Sequence, residues 1–302
     1  MKLSQKKREW LFGYLFVGSW IVGFILFTLV PVGQSFYYSL TNYAVTADGL
    51  TGSYIGPQNY LDAFLKDISY VEALIAYFSN MIVTLVAVIV FSVIIAIILN
   101  KDFPLRGFWR TVFFLPVIIS SGPVISKLTN EGATSILMST DSVGLLSVFQ
   151  SNLPEFLTNA INTIFGKIVI ILWFTGVPVL IFLAGLQKIN TNIYEAARVD
   201  GASKWEIFWK IVLPSLKPLI NINVIYTVVS LSLFSNNHVM YLIDIKKLNR
   251  YGYANALTWI YFGLTVIFLL IFLFILNFRE LTHRKTKEIK MYRDEPMKVG
   301  EY

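Results

Sequence analysis

The sequence predicts an all-α membrane protein with six transmembrane helices, and three observations lead to that prediction. Of the 302 residues, 56% are hydrophobic and only 14% are charged, whereas an ordinary soluble domain carries about 25% charged residues. The apolar residues gather in six runs, and each run is close to the roughly 20 residues that a helix needs to cross a bilayer. Lys and Arg, in turn, are distributed unevenly between alternate connections.

The six runs give each predicted helix its bounds. We expect transmembrane helices at Trp10–Val32, Ala73–Leu99, Phe108–Lys127, Phe165–Leu186, Ile211–Phe234 and Leu257–Phe278. The first run follows three basic residues, as in a signal peptide, but it is too long for one and no small-residue cleavage site follows, so we expect a retained helix. Pro116 and Pro123 interrupt the third run, which membrane helices tolerate where neighbours satisfy the backbone.

The charge distribution predicts which side each connection occupies. With the N-terminus inside, 19 of the 25 Lys and Arg residues fall on inner segments, while Asp and Glu divide almost evenly. This bias fits the positive-inside rule. We therefore expect residues 1–9 to be a cytoplasmic N-terminus, 10–32 the first helix, 33–72 an external loop, 73–278 the membrane core with an inner loop at 187–210, and 279–302 a basic cytoplasmic tail.

Two connections and the tail leave alternatives open. The external segments 33–72 and 128–166 either cap a cavity from outside or simply join helices. The tail fits an orientation signal near anionic lipid better than a nucleic-acid-binding segment. His238 is expected to be a polar residue at an outer helix end, and His283 to belong to the tail.

The sequence also lacks the residue patterns of several enzyme classes. There is no cysteine, no phosphate loop of the Gly-x-x-x-x-Gly-Lys-Ser/Thr type, no His-Glu-x-x-His and no Gly-x-Ser-x-Gly. We therefore expect no catalytic residue, metal site or cofactor on this chain. The middles of the spans carry no ionisable residue. This argues against a proton-driven transporter, although sodium coupling through backbone carbonyls stays open.

A polar, amphipathic stretch separates the fourth and fifth spans. Thr191 or Asn192 can cap the start of a short helix. Glu195 is then expected in the first turn, where negative charge suits the helix dipole. Gly201 can end this helix by taking a left-handed conformation.

A second short helix is predicted directly after this turn. Ser203 and Glu206 have the spacing of a capping box, and Pro214 is expected to close the helix where the fifth span begins. Ala196 and Ala197 add little bulk to the first short helix, which would let another backbone approach. The stretch therefore either lies on the lipid surface as an amphipathic elbow or docks to a partner protein.

The same stretch carries a family resemblance. Tyr194-Glu195-Ala196-Ala197-Arg198-Val199-Asp200-Gly201-Ala202, followed by Phe208, Ile211, Leu213 and Pro214, resembles the EAA loop of ABC importer permeases, most closely that of the sugar-importing branch of the maltose and glycerol-phosphate type. Weaker similarity extends to Ile55–Tyr60 and Phe108–Pro116. The resemblance implies a type I importer permease fold, in a multi-pass protein of the bacterial cytoplasmic membrane with both termini inside.

The resemblance also implies partners and a mechanism. In that family the loop is a coupling helix that sits in a cleft of a cytoplasmic ATPase. The coupling residues would be Glu195, Ala196, Ala197, Asp200, Gly201 and Ala202. Two ATP-binding subunits, which hold the ATP and Mg²⁺, would drive a pair of similar or identical permeases. A solute-binding protein outside the cell would deliver the solute, and lipid would surround the complex.

One face of the fifth run offers a transport path. At 100° per residue, about a third of that helix's circumference presents Asn223, Tyr226, Thr227, Ser230, Phe234 and Asn237. Such side chains either stack on and hydrogen-bond an uncharged sugar or join membrane helices to one another. Weaker candidates are Ser120, Ser121, Trp173, Thr175 and Tyr261.

The sequence therefore predicts the permease subunit of an ATP-driven importer, with an oligosaccharide as the expected solute. Glycerol phosphate or another polar solute is the alternative within that class. A secondary transporter and a membrane-embedded enzyme are the competitors outside it.

Overall fold

The computed structural model describes residues 5–46, 49–101, 104, 107–112, 168–234, 237–247 and 249–294. These residues are mostly helical, with one short β-hairpin. The α-helices are α1 (Gln5–Phe24), α2 (Val30–Ser39), α3 (Gln58–Leu65), α4 (Ile68–Asn100), α5 (Ile168–Gln187), α6 (Thr191–Val199), α7 (Lys204–Ile207), α8 (Leu213–Ser232), α9 (His238–Lys247) and α10 (Tyr251–Asp294). Five-residue π-helical turns at Ile25–Leu29 and Phe208–Val212 link α1 to α2 and α7 to α8.

Several of these helices are membrane spans by length and apolarity. Four segments qualify, namely Gly13–Ser39, Ile68–Asn100, Lys204–Ser232 and Tyr251–Phe278. A fifth results if Ile171–Gln187 and Thr191–Val199, which meet at 67°, count as one span. The predicted third span, with Ser120 and Ser121, lies outside the described residues apart from 108–112, which are helical. The count of six therefore stays a prediction.

Several predicted ends differ from the helices in the structure. Helix α4 begins at Ile68 rather than Ala73, and α10 runs from Tyr251 to Asp294 rather than from Leu257 to Phe278. The first helical segment continues to Ser39 rather than ending at Val32. In this continuation, Ser35 Oγ donates to Asn255 Oδ1 at 2.7 Å. Pro214 was expected to close a helix, and that prediction is wrong, because helical structure runs without a break from Lys204 to Ser232.

A proline lies two residues after the end of each π-helical turn. Pro31 follows Ile25–Leu29 by two residues, and Pro214 follows Phe208–Val212 in the same way. Proline has no N–H to donate to the carbonyl four residues earlier, and its ring crowds that carbonyl. A single wider, π-helical turn relieves this crowding, and the helix continues beyond the proline. The sequence marks these prolines, but it does not say whether a helix stops or widens there.

The chain divides into two compact units, of which the first comprises residues 1–77 and 235–264. Its hairpin pairs β1 (Ala44–Thr46) with β2 (Gly49–Thr51) in antiparallel register. Helix α3 is tied to the end of α2 by Asn59, which is buried and donates to the carbonyls of Ser39 and Thr41 at 2.9 and 2.6 Å. The predicted external loop 33–72 thus contains ordered structure of its own.

A carboxylate joins the start of α4 to α9 and α10 within this unit. Asp67 pairs with Lys246 and accepts hydrogen bonds from the hydroxyls of Tyr253 at 2.9 Å and Ser69 at 2.8 Å. Burial alone would raise the pKa of Asp67, but these hydrogen bonds outweigh it and hold the pKa below its usual value of 3.8. A carboxyl whose pKa falls on folding adds stability above its unfolded pKa, and the contribution is lost as the pH falls through the folded value. The pairing therefore stabilises the first unit at neutral pH.

The second unit comprises residues 78–234 and 265–302. One of its apolar clusters, which we call the core cluster, joins the last turns of α4 and α5 to α7 and the start of α8. It consists of Val93, Ala96, Leu99, Val179, Phe182, Leu183, Leu186, Ile207, Val212 and Leu216. Burial of these side chains holds the short helices of residues 190–212 against the ends of two long helices.

The close approach of α10 to the segment after α2 gives a test of the first unit. A Cβ on Gly252 would collide with the carbonyl oxygen of Thr41, whereas a Cβ on Gly263 of the same helix would meet nothing within 4 Å. We expect Gly252→Ala to lower the stability of the protein in detergent by about 1–3 kcal/mol, since backbone cannot move aside cheaply. Gly263→Ala should leave the melting temperature unchanged or slightly raised. Equal melting temperatures for the two variants would contradict this packing.

Candidate functional site

The predicted coupling stretch begins one residue earlier than the sequence suggested. Asn190, rather than Thr191 or Asn192, caps helix α6, and its Oδ1 accepts from the backbone N–H of Asn192 at 3.0 Å. Helix α6 therefore starts at Thr191, and Glu195 lies in its second turn rather than its first. The expected benefit of Glu195 at the positive end of the helix is correspondingly smaller, because the dipole effect fades beyond the first turn.

The end of α6 is a left-handed turn at Gly201, as predicted. Gly201 has φ +80°, and its N–H donates to the carbonyl of Arg198 at 3.1 Å. The N–H of Ala202 donates to the carbonyl of Ala197 at 2.9 Å. These two bonds define a Schellman motif, which satisfies the last carbonyls of a helix. A Cβ at residue 201 would meet nothing within 4 Å, so the backbone conformation alone calls for glycine.

The capping box that starts the next helix is confirmed. The backbone N–H of Glu206 donates to Ser203 Oγ at 3.2 Å, and the N–H of Ser203 donates to Glu206 Oε2 at 3.0 Å. Lys210 adds an ion pair to Glu206 at 3.1 Å. The turn from α6 to α7 is thus fixed by hydrogen bonds within residues 196–206, which suits a rigid docking element.

The short helix α6 has one face toward the protein and one away from it. Tyr194, Ala197 and Ala202 are half-buried and pack on the core cluster. Glu195, Ala196, Asp200 and Gly201 are exposed. The two alanines therefore differ: Ala196 is free for close approach by a partner, whereas Ala197 is used for packing within this chain.

Apolar residues on the exposed side of this stretch were missed by the sequence reasoning. Val199 is 87% exposed, and Ile193, Trp205 and Trp209 are also exposed. Exposed apolar side chains close together indicate a surface that meets lipid or another protein. Part of the signal was present in the sequence, since at 100° per residue Val199 lies on the side of α6 opposite Tyr194 and Ala197.

The predicted polar face of the fifth span separates into buried and exposed parts. Asn223 and Thr227, one turn apart on α8, are both 0% exposed. Asn223 Nδ2 donates to the carbonyl of Pro178 in α5 at 3.5 Å. Within the described part of the chain, Asn223 Oδ1 and Thr227 Oγ1 have no hydrogen-bond partner. Such groups are costly to leave unpaired, so they mark a place where a polar molecule would be stabilised.

The other predicted path residues do not share one setting. Tyr226 is exposed and Ser230 is half-buried. The ring of Phe234 meets that of Phe174 edge-on at 5.4 Å. Asn237 was placed on the same helix, but α8 ends at Ser232 and Asn237 lies at the start of α9, where its Oδ1 accepts from the N–H of Val239 at 3.0 Å. The helix ends early enough to take Asn237 off the predicted face.

The weaker candidates are mostly engaged in local contacts. Thr175 is buried and donates to the carbonyl of Leu172 at 2.6 Å, while Trp173 is half-buried. The hydroxyl of Tyr261 accepts from Asn237 Nδ2 at 2.8 Å. His238 is exposed and stacks on Tyr241, with ring centroids 6.1 Å apart. None of these residues adds to the unpaired groups on α8.

The chain matches a known family over most of its length. The model of the binding-protein-dependent transport system inner membrane component family matches residues 50–288, which is most of the chain and includes α6 and all of α8. The chain belongs to this family of membrane transport components.

Relatives of known name agree with this assignment. The probable ABC transporter permease protein YesP of Bacillus subtilis is 30% identical over 285 residues, covering 86% of this chain and 89% of that protein. The multiple sugar-binding transport system permease MsmF of Streptococcus mutans is 28% identical and covers 79% of this chain and 86% of its own length. The trehalose/maltose transport system permease MalF of Thermococcus litoralis is 28% identical, and the match covers 91% of this chain and 96% of that protein.

Solved structures show the same fold at greater sequence distance. A chain of a bacterial alginate ABC transporter, in complex with a pentasaccharide-bound periplasmic protein, superposes with a TM-score of 0.59 at 19% identity, covering 88% of this chain and 93% of that one. A second structure, of a bacterial ABC transporter involved in the import of the acidic polysaccharide alginate, gives a TM-score of 0.56 at 19% identity. The match covers 90% of this chain and 96% of that one.

Proposed function

We propose that this chain is the permease subunit of an ATP-binding-cassette importer that takes up carbohydrate, with an oligosaccharide as the solute. The observation that carries the proposal is the exposed end of α6 with its fixed turn into α7, where Ala196, Val199 and Gly201 are exposed and a partner could contact them. Relatives named as sugar permeases support the solute class. We further propose the six-helix arrangement of the type I importer, with α6 as its coupling helix.

Energy for uptake is proposed to come from partner subunits. The sequence has no phosphate loop, so ATP and Mg²⁺ would be held by two cytoplasmic ATP-binding subunits that receive α6. Because Tyr194 and Ala197 of α6 pack on the core cluster, which contains residues of α4 and α5, movement of the ATPases would be passed to those helices through the cluster. A second permease, identical or different, would complete the path, and an extracellular binding protein would deliver the solute.

The first helix fits contact with lipid and with the second permease. Phe16 and Phe27 are 84% and 82% exposed, and no residue of the most apolar 18-residue window within Gly13–Ser39 is buried in this chain. Apolar side chains of this kind need a bilayer or a partner helix around them. The distribution of Lys and Arg favours cytoplasmic positions for both termini and for α6.

A neutral solute is favoured over an anionic one. The proposed path residues on α8 are neutral hydrogen-bonding or aromatic side chains, namely Asn223, Tyr226, Thr227 and Ser230, with Phe234 just beyond the helix end. An anion such as glycerol phosphate would be better held by Arg or Lys. Glycerol phosphate or another polar solute remains the alternative within the same class, and a secondary transporter is the alternative outside it.

The coupling role predicts that the conformation of Gly201 matters more than its size. Gly201→Val places a β-branched residue at φ +80°, with a strain of about 1–2 kcal/mol. We expect uptake per ATP hydrolysed by the reconstituted complex to fall about tenfold. Gly201→Asn is the matched control, because Asn tolerates this conformation and should keep uptake near the wild-type level.

These two variants also separate coupling from assembly. The ATPase subunits should copurify with the Gly201→Asn variant as with the wild type, and the Gly201→Val variant should insert normally in the membrane. Wild-type coupling by an assembled Gly201→Val complex would show that the turn is not used to transmit ATPase movement.

The proposed path predicts that stability and transport respond differently at Thr227. Its hydroxyl is buried and unpaired within the described residues. Thr227→Val should therefore leave the melting temperature unchanged or raise it, by up to about 1 kcal/mol in stability. If the hydroxyl contacts solute, the same variant should raise the KM for uptake.

Thr84→Val provides the comparison. Thr84 is also buried in the second unit, but its hydroxyl donates to the carbonyl of Asn80 at 2.9 Å. We expect this variant to lose a little stability and to keep the wild-type KM. An unchanged KM for Thr227→Val would return Asn223 and Thr227 to a role in helix packing.

A further inference from the structure

The first unit contains a pocket that neither the coupling stretch nor the α8 path uses. It has a volume of about 460 Å³ and lies along the last turns of α2. The pocket, which we call the tyrosine pocket, is lined by Gly33, Gln34, Tyr37, Tyr38 and Tyr43. Its volume falls in the range of roughly 300–1,000 Å³ that is usual for small-ligand sites.

The aromatic walls of this pocket are held in place by their own contacts. The ring of Tyr38 meets the rings of Tyr43 and Tyr251 edge-on, with centroids 5.7 and 5.6 Å apart. Tyr37 adds a tilted contact with Tyr38 at 6.1 Å. Edge-to-face pairs of this kind favour fixed ring positions, so the walls are preformed rather than assembled around a ligand.

The backbone behind the rings is fixed as well. The N–H of Gly252 donates to the carbonyl of Tyr43 at 2.9 Å. The N–H and the hydroxyl of Thr41 both donate to the carbonyl of Tyr38, at 3.0 and 2.7 Å. Three parts of the chain, namely α2, the segment after it and the start of α10, therefore converge at the pocket and set its shape.

The lining has the chemistry of a site for a neutral, hydroxylated ring. The tyrosine rings offer flat apolar faces, while their hydroxyls and the Gln34 amide offer donors and acceptors. At Gly33, where a Cβ would meet nothing within 4 Å, the absence of a side chain leaves room. Among the described residues, those that line the pocket carry no charged side chain, a lining that does not suit an anion or a cation.

We propose that the tyrosine pocket binds one sugar ring of a neutral oligosaccharide, as an accessory site apart from the α8 path. The proposal rests on the proposed import of carbohydrate for the identity of its ligand. A simpler interpretation is that these tyrosines are interfacial aromatic residues that face lipid. It does not account for Tyr38 and Tyr43, which are half-buried and packed on each other rather than spread toward solvent or lipid.

Chemical protection tests occupancy of the pocket directly. In the whole complex, tyrosines are nitrated with tetranitromethane in the absence and presence of maltotriose, arabinotriose or cellotriose, and the products are mapped by mass spectrometry. Tyr37 is 50% exposed and Tyr54, in the same unit but outside the pocket, is 65% exposed. We expect at least one saccharide to slow nitration of Tyr37 about threefold, as for a site two-thirds occupied, and to leave Tyr54 unchanged.

Substitution gives the second measurement. Tyr37→Ala should raise the KM for uptake of the protecting saccharide about fivefold through loss of a stacking surface. Tyr37→Phe retains the aromatic ring and should keep a KM close to that of the wild type. Tyr54→Ala is the matched control and should behave as the wild type. Protection of Tyr37 and Tyr54 to the same extent, no protection by any of the three saccharides, or a wild-type KM for Tyr37→Ala would overturn the proposal.

The result that would refute the proposed function differs from the one that would refute the pocket. Nitration is measured without ATP, so protection of Tyr37 supports the pocket even if ATP does not drive uptake. Uptake that persists without ATP and collapses with an ion gradient would refute the ATP-driven importer while leaving the saccharide site in place.

Discussion

The packing of α6 on the core cluster is the contact on which the proposed mechanism depends. Tyr194 and Ala197 on the inner face of the short helix, and Ala202 just after it, pack on this cluster, which includes residues of α4 and α5. The small side chains of the two alanines allow this close seating, and the Schellman turn at Gly201 directs the chain into α7. A force on the outer face of α6 would therefore reach the membrane-spanning helices through packed side chains rather than through a flexible loop.

The first unit adds side-chain hydrogen bonds to its buried apolar residues. Asn59 donates to the carbonyl of Thr41, Asp67 accepts from the hydroxyl of Tyr253, and Tyr70 donates to the carbonyl of Leu257 at 2.7 Å. Side-chain hydrogen bonds to backbone have strict geometry. They fix the loop segments after α2 and before α4, and so give the tyrosine pocket a defined shape.

Local features of the site could be predicted from the sequence, and features set by tertiary contacts could not. The capping box of Ser203 and Glu206 and the left-handed Gly201 depend on residues close in sequence, and both were predicted. Pro214 is different, because packing of α7 and α8 on the core cluster favours a π-helical turn over a helix end. The position of Asn237 was missed for a related reason, since helical periodicity does not show where α8 ends. The inward use of Ala197 also depends on helices distant in sequence.

The most direct test of the coupling claim is cross-linking from α6 to the ATP-binding subunit. The chain contains no cysteine, so Ala196→Cys gives a single reactive thiol on the exposed face of α6, and Tyr54→Cys gives an exposed control in the first unit. A short thiol-to-amine reagent should join Ala196→Cys to the ATP-binding subunit in the assembled complex and should leave Tyr54→Cys unjoined. A complex that still couples ATP hydrolysis to uptake, yet cross-links no better from residue 196 than from residue 54, would contradict the account.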